Sequence, residues 1–427
     1  MNGSNQATVV ITETPTDPMV GTTIADKYEL VRLVGLGGMG AVYEGRNAAT
    51  LKRVAVKILN SPELAQSPQV VKRFFREARA SSVIESDHVV QVFDSGTDPN
   101  TGHPYMVMEL LNGQDLEHTL QHYGALAPLP AAKLVLQAAT GLAKAHEQGI
   151  VHRDIKPANL YLTNRENGEL VIKILDFGIA KVKMEALSET ASGMTREGSM
   201  LGTPLYMSPE QAKGSTQIDA RSDVWSLGVV LYELLCGTLP YADASSLGEL
   251  MVHIITSDIP LLQDKAPWVP PELAEICHRA MSRDINKRFA NAAELRDAIA
   301  ALIPDGARMT AAVLVGITTE QRAFVAPRLQ LTGDGMLKAT TRTGLELTHS
   351  HSMPPARKKA ALYVSLTFGV LAVGGGVAAA LLLRGGEQEP ETKPTTPIVV
   401  STPLPPDDLQ IESFDRRSHG DLSLIHI

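Results

Sequence analysis

The segment Val151-His-Arg-Asp-Ile-Lys-Pro-Ala-Asn159 gathers a carboxylate, a cation and an amide within six residues, at Asp154, Lys156 and Asn159. Twenty-two residues after Asp154 comes a second carboxylate, Asp176, set between an apolar run and Phe177-Gly178. Moving a phosphoryl group from metal-bound ATP calls for these parts. A carboxylate orients a hydroxyl and takes its proton, a cation meets the migrating phosphate, and oxygen atoms ligate magnesium. Asp154 is the candidate for the hydroxyl, Lys156 for the phosphate, and Asn159 with Asp176 for Mg2+. Any one of them alone would pass as a turn residue; the ordered set carries the inference.

Upstream stretches supply the nucleotide side. Gly35-Leu-Gly37-Gly38-Met-Gly40-Ala-Val42-Tyr43 is rich in glycine. Taken alone, G-x-G-x-x-G is a weak signal, and dinucleotide binding would need a helix directly after the third glycine. Here Leu30-Val-Arg-Leu-Val34 and Ala41-Val-Tyr43 read as strands on both sides, so a hairpin with backbone amides over phosphates is expected. Lys57 ends Val54-Ala-Val-Lys57, seventeen residues after Gly40. No G-x-x-x-x-G-K-[ST] run occurs, which disfavours a P-loop ATPase. Val70-Val-Lys-Arg-Phe-Phe-Arg-Glu-Ala-Arg-Ala-Ser-Ser-Val-Ile84 has helical spacing, with Val70, Val71, Phe74, Ala78 and Val83 on one face. Glu77 lies in that helix; by position alone it would read as a solvated glutamate.

Together these motifs resemble those of bacterial eukaryotic-like (Hanks-type) transmembrane Ser/Thr protein kinases over residues 28–303. The resemblance implies an α+β, bilobal protein-kinase fold, with a β-rich small lobe, a helical large lobe and ATP between them. It gives Glu77 the role of ion-pair partner to Lys57, which would contact the α- and β-phosphates. Gly35, Gly37, Gly38 and Gly40 would cover the phosphates, and Val42 and Ala55 would roof the base. In Pro104-Tyr-Met-Val-Met108-Glu109-Leu110-Leu111, Met108 would be the gatekeeper, with backbone groups of Glu109 and Leu111 pairing with adenine. The segment 176–210 resembles an activation loop, in which Thr203 would pack against Asp154 and Lys156. Lysine at 156 with threonine at 203 is the Ser/Thr pattern. Arg153 and Lys181 would receive a phosphate on Thr190 or Thr195. Asp223 would brace the catalytic loop, and Arg288 would pair with Glu210. Ala158 replaces a glutamate often tied to basic-directed substrates, and Tyr161 stands where an aliphatic floor under adenine is usual.

The implied partition is a small lobe at 28–108, a hinge at 109–113 and a large lobe at 114–303. Residues 1–27 read as a flexible leader and 304–359 as a juxtamembrane linker. Residues 360–383 carry no charge and would span roughly 36 Å as a helix, against about 30 Å of hydrocarbon. Three basic residues, Arg357 to Lys359, precede this run and Arg384 alone follows, so the catalytic part is expected in the cytoplasm. A single-pass protein of the inner (plasma) membrane is the expectation, with 384–427 as a short extracytoplasmic stalk. The final Leu422-Ser-Leu-Ile-His-Ile427 resembles a translated sequencing-library end, so the natural chain is expected to be longer. The net charge of -8 gives no reason to expect nucleic acid, and two cysteines do not make a disulfide framework. Expected partners are ATP, Mg2+, protein substrates with Ser or Thr acceptors, and a second copy for trans-autophosphorylation. The alternatives are a catalytically silent pseudokinase scaffold or a membrane-anchored interaction protein.

Overall fold

The computed structural model describes residues 17–37, 40–177, 204–332 and 336–338. Two compact units divide the chain, Met1–Ser352 and Met353–Ile427. The second, with the expected membrane span and stalk, lies outside the described residues. Gly38, Lys181, Thr190, Thr195 and Thr203 also lie outside them. Among the described residues no helix is long and apolar enough to cross a membrane.

The small lobe is a six-stranded sheet in the order β1-β2-β3-β4-β6-β5. Its strands are β1 (Thr23–Ile24), β2 (Tyr28–Gly37), β3 (Gly40–Asn47), β4 (Arg53–Ile58), β5 (Val92–Thr97) and β6 (Pro104–Met108). Alternation puts Leu30, Tyr43, Val54, Val56 and Val107 into one apolar face. Between β4 and β5 run α1 (Pro62–Gln66) and α2 (Pro68–Val83), each begun by a proline in its first turn. Phe74 and Ala78 of α2 pack with Leu59 and Met106 beneath the sheet. Val83, expected on that face, is instead 52% exposed, because nine residues at about 100° each turn it half a circle away from Phe74.

The large lobe opens with β7 (Gly113–Asp115), which pairs with β8 (Leu160–Asn164) and through it β9 (Leu170–Ile174). Gly113 thus belongs to the large lobe's sheet rather than to the hinge. Helices α3 (Leu116–Tyr123), α4 (Pro128–Glu147), α5 (Pro209–Ala212), α6 (Ala220–Cys236) and α7 (Leu247–Thr256) follow, then α8 (Leu262–Lys265), α9 (Pro271–Ala280) and α10 (Ala292–Ala300). The core lies between α4 and α6, whose apolar residues surround both helices. Asp219 caps the start of α6, and Gly237, at φ 75°, ends it in the left-handed conformation.

Packed structure continues past both ends of the expected 28–303 segment. Before Tyr28, Ile24 is buried in the sheet core and the backbone N–H of Ala25 donates to Asp98. After Ile303 the chain does not leave as a linker. Met309, Leu314 and Ala326 are buried against the large lobe, and α11 (Thr319–Ala323) lies among them. A short hairpin of β10 (Gln330–Leu331) and β11 (Leu337–Lys338) ends the described part. Apolar residues too irregularly spaced to show a period still found a groove to fill.

Candidate active site

A cavity of about 490 Å3 separates the two lobes, within the usual size for a small-molecule site. Val34, Val42 and Ala55 line it from above, Tyr161 and Leu175 from below, and Met106 and Met108 from behind. Glu109, Leu110 and Leu111 form its edge. Lys57, Glu77, Asp154, Lys156, Asn159 and Asp176 occupy the polar end. Sequence positions spread over 120 residues of chain therefore converge on one space.

The glycines divide by role. A Cβ on Gly40 would lie 2.0 Å from the Ile58 carbonyl oxygen, so only glycine lets β3 approach β4 there. Among the described residues, a Cβ on Gly35 would enter open space and one on Gly37 would lie 3.7 Å from the Gly40 carbonyl oxygen, an ordinary contact; both glycines line the cavity.

Lys57 is the centre of the charge arrangement. Its Nζ stands 2.9 Å from Glu77 Oε1 and 2.7 Å from Asp176 Oδ1. Register places Lys57 opposite Met106 and Val42 in the sheet, which aims it inward. Burial pulls its ammonium down, but the two carboxylates outweigh this and hold it well above the ordinary lysine range. The carboxylates compete for that one cation. Burial, then the charge of Asp176, push Glu77 up to about 8. Asp176 goes the other way: burial raises it, yet Lys57 brings it well below the usual carboxylate range.

The loop at 151–159, the candidate catalytic loop, is held from behind. Asp223, fully buried, accepts from the backbone N–H groups of His152 at 2.8 Å and Arg153 at 2.7 Å. His146 Nε2 lies 2.9 Å from the same carboxylate. Burial would raise Asp223, but His146 and these contacts bring it below the ordinary aspartate value. Gln211 Nε2 donates to the Arg153 carbonyl at 2.9 Å. These contacts fix Arg153 at φ 69°, a backbone conformation that costs an L-residue about 1–2 kcal/mol. Asp176 has φ 56°. His152 bridges to it, with Nε2 2.8 Å from the Leu175 carbonyl and its ring 4.7 Å from that of Phe177.

Asn159 Nδ2 donates to the Asp154 carbonyl at 2.7 Å and to Asp154 Oδ2 at 3.1 Å. Only the NH2 side of the amide can face those oxygens, so its own Oδ1 is left for the cavity. Lys156 Nζ is 3.3 Å from Asp154 Oδ2. A carboxylate oxygen of Asp176 and the Asn159 amide oxygen are the hard donors that magnesium prefers, and the pair fits that ion. Among the described residues no cluster of three His, Cys, Asp or Glu offers a different metal site.

At the hinge, the N–H of Glu109 donates to the Gln91 carbonyl. The Glu109 side chain takes a hydrogen bond from Lys173 Nζ at 2.7 Å. Lysine 173 interrupts the apolar run Leu170–Ile174, and a lone charge in a buried strand is the signal that could have revealed a partner. Tyr161 both floors the cavity and donates through its hydroxyl to the Gly113 carbonyl at 2.7 Å. Arg73, one turn before Glu77, was also missed. It is 7% exposed, and its Nε and Nη2 have no hydrogen-bond partner among the described residues.

The sequence profile of the family described as Protein kinase domain matches residues 28–298. The chain is a member of the protein kinase family. The kinase is 34% identical over 410 residues to the serine/threonine-protein kinase PknA of Mycobacterium tuberculosis, covering 91% of this chain and 88% of PknA. It is 36% identical to the serine/threonine-protein kinase Pkn1 of Myxococcus xanthus over 335 residues, or 77% of this chain and 46% of Pkn1. With the serine/threonine-protein kinase PknB of Mycolicibacterium smegmatis it shares 37% over 275 residues, 64% of this chain and 42% of PknB. The chain thus spans less than half the length of Pkn1 and PknB. The solved kinase domain of Mycobacterium tuberculosis PknI superposes with TM-score 0.50 at 26% identity, covering 65% of this chain and 96% of PknI's. These relatives place the kinase among the serine/threonine-protein kinases.

Proposed function

We propose that this kinase transfers the γ-phosphoryl group of Mg-ATP to Ser or Thr hydroxyls of proteins, including its own activation loop. The observation that carries the reading is Lys57 held at once by Glu77 and Asp176 across the cavity from the Asp154–Asn159 pair. Bound Mg-ATP would supply the phosphoryl group and neutralise its negative charge. Lys57 would hold the nucleotide's phosphates, and Asp176 with Asn159 would hold the metal. Asp154, set by Asn159 and Lys156, would orient the acceptor hydroxyl and take its proton.

The site is proposed to work at the inner face of the plasma membrane. The uncharged run 360–383 and the basic residues before it support this placement. Trans-phosphorylation between two copies is proposed for the activation loop.

Transfer of labelled phosphate from Mg-ATP by the purified chain, absent in Asp154→Asn, tests the chemistry. A reporter active only in the periplasm tests the topology. Fused after Gly386 it should be active, and after Gly344 it should be silent. The reverse pattern would overturn the placement.

A further inference from the structure

Residues 304–329 lie across the large lobe as a belt, and three buried polar side chains meet it. Lys133 Nζ donates to the Arg308 carbonyl at 2.7 Å. Gln137 Nε2 donates to the Ala307 carbonyl at 2.9 Å, and Gln263 Nε2 to that of Pro327 at 2.8 Å. All three side chains are buried in helices that otherwise present apolar residues to the core. A buried donor left unmade costs about 1–3 kcal/mol, so these positions are shaped for the belt. Backbone pairing continues the seam: the N–H of Leu170 donates to the Met309 carbonyl, and that of Ile317 to the Ala125 carbonyl.

Gln137 is the junction. The amide that donates to the belt also accepts from the N–H of Ile172 at 2.7 Å and donates to the Leu170 carbonyl at 3.2 Å. Both residues belong to β9, which ends two residues before Asp176. Belt and metal-binding aspartate therefore share one strand and one glutamine.

We infer that the belt is a working part of the catalytic unit and that Gln137 is a positioning residue, coupling the belt's seating to the placement of Asp176. The chain leaving the large lobe toward the C-terminus is then a lever on Mg-ATP binding. This rests on the nucleotide reading above. The coupling is reciprocal: if a seated belt favours Mg-ATP, bound Mg-ATP must hold the belt down. Packing without coupling would show no such response.

Hydrogen exchange of the full-length chain in detergent, with and without Mg2+ and a non-hydrolysable ATP analogue, tests this. The amides of Ile317, Leu170 and Ile172 should slow about fivefold, the low end of ordinary coupling between sites. The amides of β4 around Lys57 should slow in the same sample as the sign that nucleotide has bound. Gln137→Met, close in size but without the amide, should raise KM for Mg-ATP about fivefold with little change in kcat. It should keep the slowing at β4 and lose it at Ile317. Lys133→Met cuts a belt contact without touching β9 and should raise KM in the same direction. Slowing at β4 with none at Ile317 in the wild type would overturn the inference, as would slowing at Ile317 that survives Gln137→Met. If Gln137→Met fails to fold, an unchanged KM in Lys133→Met overturns it instead. No slowing at β4 would remove the nucleotide reading itself, and the inference with it.

Discussion

Arg288 and Glu210 face each other across 78 residues of chain, joined by two hydrogen bonds of 2.8 and 2.9 Å. The Arg288 side chain is fully buried, and its guanidinium lies 5.0 Å from the Trp225 ring. Ser222 adds a third bond to Glu210 at 2.6 Å. Glu210 sits in α5 beside Gln211, which holds the Arg153 carbonyl, so the pair anchors the segment that ends next to the catalytic loop. Arg288→Met should cost about 3–5 kcal/mol, because it strands a carboxylate with little access to water. Denaturant unfolding measures this. Burial pushes Glu210 up, but Arg288 and Ser222 outweigh it and leave the carboxyl below the ordinary glutamate value. The pair's contribution is therefore full above that value and is lost as pH falls through the lowered one. The gap between wild type and variant should close in acid.

Asp154→Asn and Asp176→Asn should fail in different ways. The first keeps the charges around Lys57 and should bind nucleotide normally, while turnover falls by about 10²–10⁴. The second removes the carboxylate 2.7 Å from Lys57 and should weaken Mg-ATP binding itself. Nucleotide titration beside a phosphate-transfer assay separates the two. Equal loss of binding in both would refute the division of labour.

Glu77 should leave a mark on stability near neutral pH. Its carboxyl is pushed from 4.5 up to about 8 in the folded protein without nucleotide. Between those values the folded state holds the proton and the unfolded state has released it. Stability should thus fall as pH rises from about 4.5 to about 8. Glu77→Gln should flatten that slope, since the amide has no proton to exchange in this range. Thermal unfolding across this range, wild type against variant, checks the sign.

Phosphorylation of Thr190 or Thr195 should raise activity. Each phosphate would bring close to two negative charges toward Arg153, whose backbone is already fixed by Asp223. Mass spectrometry of active protein should find phosphate in 185–200, and the double Thr190→Ala, Thr195→Ala variant should be less active. Undiminished activity in that variant would remove the mechanism.

What the sequence revealed and what it hid follow from where each interaction is made. Lys57, Asp154, Asn159 and Asp176 were legible because their side-chain chemistry is the signal and their local turns fix their aim. Glu210 and Arg288 were reached through the family resemblance, not through spacing. Gln137, Gln211 and Gln263 were not legible at all. Their partners are backbone carbonyls of distant segments, and a carbonyl has no letter in the sequence. The packing of the segment after Ile303 was hidden for a related reason. Residues 304–329 bury Met309 and Ala326 in an irregular conformation, so no period announces them.

The strand β1 has a practical meaning. It pairs through Thr23↔Glu29 and Ile24↔Tyr28 and so covers the open side of β2 at the margin of the sheet. A recombinant piece begun at Tyr28 would strip that cover. Backbone donors and acceptors of β2 would then stand unpaired beside newly bared apolar surface, a template for sticking to other chains. Shortening the gene to its matched region would yield a more aggregation-prone protein, not a minimal one.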